Sequence, residues 1–119
     1  MMPEGYERWR EGFAAALDDR LYGIDHVDRL VWCGRARLFA NERAALLAEI
    51  KPYPAGACDV HVLVGAGELN ALIGLEPLLA AWGRKHGCLG VLIESREGWA
   101  KVMKKHGYET CQVSVRKEL

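Results

Sequence analysis

Residues 59–93 read DVHVLVGAGELNALIGLEPLLAAWGRKHGCLGVLI. Val60, Val62 and Val64 are β-branched and alternate with His61 and Leu63, which is the period of a strand over residues 59–64. Gly65 and Gly67 follow, and residues 68–86 then carry a helical pattern. Pro77 has no N–H to continue that helix, so a break or kink is predicted over residues 74–76. Leu78, Leu79 and Trp82 form the apolar side of its second half. Lys85-His86-Gly87 closes it, because cations suit the negative helix end and glycine the left-handed position beyond. Residues 88–93 are continuously apolar, as a central strand covered on both faces should be.

The pattern continues on both sides of this stretch. Downstream, Ser95 is placed to cap a helix whose apolar face holds Trp99, Val102, Met103 and His106. Lys101, Lys104 and Lys105 then face outward, and Lys105-His106-Gly107 repeats the closing chemistry. Cys111, Val113 and Val115 alternate with Thr110, Gln112 and Ser114, which predicts a last strand. Upstream, Tyr6, Trp9, Phe13, Leu17 and Leu21 recur at helical spacing, and Gly23 ends that helix. Asp25 is placed to cap a second helix with apolar Val27, Leu30 and Val31, stopped by Gly34. Asn41-Glu42 separates two apolar segments and suits a hairpin. Residues 44–50 are ambiguous: Ala, Leu and Glu favour helix by intrinsic propensity. Pro52 and Pro54 end the segment either way.

The 119 residues fit a single domain spanning residues 1–119, long enough to bury a core without disulfide or metal staples. Sixteen basic and sixteen acidic residues balance to zero net charge. No basic stripe stands out, which argues against nucleic acid or an anionic membrane as partner. A neutral chain is prone to self-association or to binding a protein partner. The first ten residues carry charges where a signal peptide needs an apolar run, so a cytoplasmic location is expected. Cys33, Cys58, Cys88 and Cys111 are widely spaced and read as reduced thiols, with Cys88 and Cys111 in apolar runs that suit buried positions. Their spacing does not match a zinc site, and no metal is expected.

The element order is helix, helix, hairpin, strand, helix, strand, helix, strand. That order, with AAWGRKHGCLGVLI and SREGWAKVMKKHGYE, resembles the GNAT N-acetyltransferase superfamily. Trp82-Gly83-Arg84, Arg96 with Gly98-Trp99, and Gly107-Tyr108 look most like the small GNAT-like proteins of tailed phages. The resemblance implies an α/β fold, a GNAT-like mixed, splayed β-sheet flanked by helices in a single small domain. It makes residues 44–50 a strand against their propensity. It also implies that acetyl-CoA, where bound, wedges into the splay beside Leu63, Val64, Gly65, Gly67 and Asn70.

Three positions test that implication. Active members of the family bind pyrophosphate with a Gln/Arg-x-x-Gly-x-Gly/Ala loop, whose N–H groups face the anion. Counting back from Trp82, the signature positions hold Gly67, Asn70 and Leu72, and none matches. A shifted alignment would use Gly65 and Gly67, but Glu68 then sets a carboxylate where phosphate charge belongs. A strand-to-helix turn explains the two glycines equally well. The family's acid, a tyrosine on the last helix, falls on Met103, which cannot donate a proton and suits packing. For the base that takes the amine's proton, His61, Glu49 and Asp59 lie near the splay. His61 or a buried Glu49 best meets the need for a pKa near working pH. Arg96 suits an anion or a solvated surface. Two functions therefore stand. One is a non-enzymatic descendant with a degenerate acetyl-CoA site, serving as a binding module or virion-associated phage protein in the host cytoplasm or virion. The other is an active N-acetyltransferase moving an acetyl group to an amine. The degenerate loop favours the first.

Overall fold

A computed structural model of the chain describes residues 1–94 and 97–119. Ser95, an expected cap, and Arg96, read as suiting an anion or a solvated surface, lie outside the described residues. The elements are α1 (Tyr6–Ala16), α2 (Ile24–Trp32), β1 (Ala36–Ala40), β2 (Ala44–Pro52), β3 (Cys58–Gly67), α3 (Leu69–Ile73), α4 (Glu76–Lys85), β4 (Gly90–Ile93) and α5 (Glu97–Met103). A 3-10 turn, Lys104–His106, extends α5. The four strands form one sheet in the order β1-β2-β3-β4. The first three are antiparallel, and β4 runs parallel to β3.

The ambiguous segment is a strand, and its burial explains why propensity loses. Ala44, Ala45, Leu46, Leu47 and Ala48 are all buried at the centre of the antiparallel half. Ala45 and Leu47 face α1 and α2, packing with Tyr6, Phe13, Val27, Val31 and Val64. Ala44, Leu46 and Ala48 face α3 and α4, packing with Phe39, Val60, Leu75 and Leu79. Two-sided burial of consecutive apolar residues outweighs tenths of a kcal/mol of helix preference per residue. Asn41 closes the hairpin as its spacing suggests, its side-chain oxygen accepting the backbone N–H groups of Arg43 and Ala44 at 3.0 and 2.9 Å.

The first helix stops earlier than its apolar spacing predicts. The Asp18 carboxylate accepts the Arg20 N–H, and the Asp18 carbonyl accepts those of Leu21 and Tyr22. This local turn competes with the helix after Ala16, and Leu21 is left exposed. Gly23, not Asp25, is the cap residue of α2. The break before α4 falls where Pro77 placed it, with Leu79 buried but Leu78 exposed. Trp32 is exposed, while Trp9, Trp82 and Trp99 are half-buried. Gly34, Gly87 and Gly107 take φ of +83°, +71° and +84°, the left-handed closures expected of them.

Two strand expectations need correction. Residues 88–93 do not form a central strand: β4 is shorter, half-buried and ends the sheet among the described residues. Residues 109–119 form no strand, although their alternation is clear, and all are exposed. Alternation specifies a face, but a strand also needs a neighbouring ladder, and this segment has none. Cys111 is accordingly exposed rather than buried.

Candidate functional site

β3 and β4 pair over four positions, from Asp59↔Gly90 to Val62↔Ile93, and then part. The register of β2 with β3 shifts at the same level, between Leu47 and Ala48, so that Leu63 is an extra residue on β3. A bulge of this kind bends its strand and re-aims the side chains that follow. Beyond Val62, the β4-side edge of β3 has no strand partner among the described residues. The sheet opens there into a cleft of about 440 Å³. Leu63, Val64 and Ala16 border it on the α1 side, and Leu46, Gly65, Leu72 and Leu79 on the α3–α4 side. The opening thus runs from one face of the sheet to the other. Its volume lies within the usual range for small-molecule sites, about 300–1,000 Å³.

Most of the lining is apolar, and the polar exceptions come from several elements. Glu76 begins α4, where a carboxylate suits the positive helix end. It accepts the Tyr108 phenol at 3.2 Å. Burial, then the Glu76 carboxylate, pushes the Tyr108 pKa well above that of an ordinary phenol, so Tyr108 keeps its proton at neutral pH. Met103 is buried in the same wall, as its packing role requires.

Glu94, just past β4, lines the cleft and joins a second cluster. Glu49 and His61 are direct cross-strand partners, and His61 Nδ1 lies 3.4 Å from Glu49 Oε1. His61 Nε2 lies 3.2 Å from Glu94 Oε1, and Lys51 Nζ lies 3.8 Å from the same oxygen. Both His61 and Glu49 are about four-fifths buried, with side-chain exposures of 18% and 22%. The structure therefore brings the two expected base candidates together and adds Glu94, which connects them to the cleft. Asp59 does not belong to this cluster; it accepts the Tyr53 hydroxyl at 2.8 Å.

The expected cofactor residues divide. Leu63, Val64 and Gly65 line the cleft, whereas Gly67 and Asn70 do not. Gly67 has φ +105°, and a Cβ there would lie 2.2 Å from the Arg43 carbonyl oxygen and 2.7 Å from Ala44 Cα. The β1–β2 hairpin therefore demands this glycine, and no ligand is needed to explain it. Glu68 donates its N–H to the Arg43 carbonyl at 3.0 Å, and its carboxylate lies 3.6 Å from the Arg43 guanidinium. The turn is thus bound to its own neighbour at the point where a phosphate cradle would offer an amide. Asn70 lies in a separate depression with Lys101, Lys105 and His106.

Tested against these observations, the cleft fits the slender amide-bearing arm of coenzyme A, and the Gly67-Glu68 turn does not fit its pyrophosphate. Sequence reasoning missed Glu76, Glu94 and Tyr108 as lining residues. Tyr108 was visible only as part of a Gly-Tyr pair, and nothing local in the sequence links it to Glu76, 32 positions away. Among the described residues, no three His, Cys, Asp or Glu side chains converge as a metal site requires. Nor is any helix among them long and apolar enough to cross a membrane.

No family model and no curated protein sequence matches the chain. Solved structures do. An aminoglycoside N-acetyltransferase in complex with CoA superposes with a TM-score of 0.72 at 14% identity, covering 100% of this chain and 91% of that one. A Trypanosoma brucei acetyltransferase gives 0.67 at 14%, covering 95% and 92%. The glucosamine-6-phosphate N-acetyltransferase of Arabidopsis thaliana gives 0.65 at 13%, covering 99% and 95%. Identities this low establish the fold alone: a mixed α/β, GNAT-like sheet flanked by helices.

Proposed function

We propose that the chain is an acyl-CoA-dependent N-acyltransferase that grips its cofactor by the pantetheine arm rather than by a phosphate loop. The observation that carries this reading is the chain Glu49–His61–Glu94, which ends at a gap running through the sheet. Such a gap lets an amine approach from the α1–α2 face and a thioester from the α3–α4 face. Glu94 holds an ammonium group entering the cleft, and His61, set between Glu49 and Glu94, takes its proton. The free edge of β3 at Leu63 to Gly65 offers peptide groups to an extended chain carrying amides. Tyr108 keeps its proton and, by turning its O–H from Glu76 to the reacting group, donates a hydrogen bond within the cleft, where low polarity strengthens it. The group bound there would supply an activated acyl carbon, and acetyl-CoA is its simplest form. Lys101 and Lys105 offer cations for phosphate near Asn70 in place of the missing cradle.

A thermal-unfolding series with millimolar acetyl-CoA and CoA tests this reading. A ligand at ~100 times its dissociation constant stabilises the folded state by about 2.7 kcal/mol, or roughly 10 °C in the midpoint. A rise of that size, followed by acetylation of members of an amine panel, supports the proposal. An unchanged midpoint with both ligands overturns it.

The second reading, a non-enzymatic binding module or a virion-associated phage protein, is favoured by Glu68 and by residues 109–119. That segment is exposed and alternating, with the makings of a strand that lacks a ladder. It would find one by adding to a sheet edge in a second copy of the chain. Light scattering across a concentration series decides: a monomer throughout removes self-association from this reading.

A further inference from the structure

Cys58 opens β3 and Cys88 follows the end of α4, 30 positions later. Their backbones are fixed from both sides. The Leu89 N–H donates to the Cys58 carbonyl at 2.8 Å, and the Cys88 N–H donates to the Gly83 carbonyl at 2.9 Å. The two sulfurs lie 3.2 Å apart. A disulfide bond is about 2.05 Å long, so its closure needs a relative sulfur movement of only about 1 Å. Both residues are half-buried rather than sealed, so a small reagent can reach them.

We infer that Cys58 and Cys88 form a redox-modification site, which a low-molecular-weight disulfide such as oxidised glutathione converts into an intrachain disulfide. The Cys58 thiolate attacks one sulfur of the reagent, forming a mixed disulfide and releasing one glutathione thiolate. Cys88 gives up its proton and attacks the Cys58 sulfur, releasing the second glutathione. Two protein thiols are oxidised and one reagent disulfide is reduced to two thiols. Burial, then the Cys58 thiol, raises the Cys88 pKa, and the exchange balances in the same way whichever of the two thiols attacks first. The closed bond ties the start of β3 to the end of α4. The segment between them carries the free β3 edge, α3 and the first turn of α4, which form one wall of the cleft. The inference does not depend on acyl transfer.

The test incubates the full-length protein in glutathione buffers of increasing oxidised fraction, alkylates the remaining thiols and maps the peptides by mass spectrometry. The expected result is a Cys58–Cys88 linked pair, with glutathione only on the exposed Cys33 and Cys111. The melting midpoint rises by roughly 10 °C over the reduced protein, because a loop of this length is closed in the unfolded chain. Cys58→Ser and Cys88→Ala each abolish both the linked pair and the rise. Separate glutathione adducts on Cys58 and Cys88, two free thiols in excess oxidant, or a linkage appearing only in urea would each overturn the inference.

Discussion

Replacing Gly67 by alanine separates a glycine needed by the fold from one needed by a ligand. In the structure its φ is +105°, and the added Cβ would meet two backbone atoms of the hairpin, the Arg43 oxygen at 2.2 Å and Ala44 Cα at 2.7 Å. Backbone cannot yield as a side-chain tip can. A left-handed L-residue costs about 1–2 kcal/mol, and overpacking a tight site costs about 1–3 kcal/mol more. Gly67→Ala should therefore destabilise the protein by roughly 2–5 kcal/mol, lowering the melting midpoint by roughly 10–20 °C. Gly65→Ala is the control. Its φ is not positive, and the one tight contact of its Cβ would be the Leu72 Cδ2 methyl at 3.2 Å, a flexible tip, with the Ala45 carbonyl oxygen at an ordinary 3.8 Å. Relief of chain entropy offsets part of that contact, so its effect should stay within ~1 kcal/mol. Urea unfolding followed by circular dichroism measures both at once. If Gly67→Ala keeps wild-type stability, the hairpin does not require this glycine, and the reading of the turn as structural is refuted.

Further expectations concern the pH response, the hairpin and the site. Arg10 is the main cause of the depressed pKa of Asp28, which also accepts the Tyr6 phenol at 2.6 Å. Asp28 therefore stabilises the fold above its unfolded pKa of about 3.9 and loses that contribution as pH falls through its lower folded value. Burial and then Asp28 raise the Tyr6 pKa, so its contribution holds below about pH 10 and fades as pH rises towards the folded value. Asp28→Asn should flatten the acid limb of a stability–pH curve; an unaltered limb would show that other carboxylates control it. Asn41→Ala removes the acceptor for two backbone N–H groups and the donor to the Ala71 carbonyl, and should cost about 1–2 kcal/mol in urea unfolding. If acyl transfer is found, His61→Ala should lower kcat by about 100-fold, and Tyr108→Phe should lower kcat more than it raises KM. Wild-type turnover in both variants would remove these groups from the reaction.

What could be read from the sequence was what neighbouring residues impose on one another. Alternating valines set the residue 59–64 strand, Pro77 separated α3 from α4, and glycine after lysine and histidine closed two helical segments. Glu49 and His61 were legible as candidates because their residue types suit proton transfer near the splay. The tertiary structure decided everything that depends on register and on competition between surfaces. It turned residues 44–50 into a buried strand, because both faces of the sheet needed apolar partners there. It left residues 109–119 unpaired, because alternation supplies a face and no ladder. It assigned Gly67 to the hairpin, joined Glu94 to His61 and Tyr108 to Glu76, and set the Cys58 and Cys88 sulfurs 3.2 Å apart. Periodicity and capping act over three or four residues, whereas these contacts span up to 33 positions and exist only once strand pairing has fixed which residues meet.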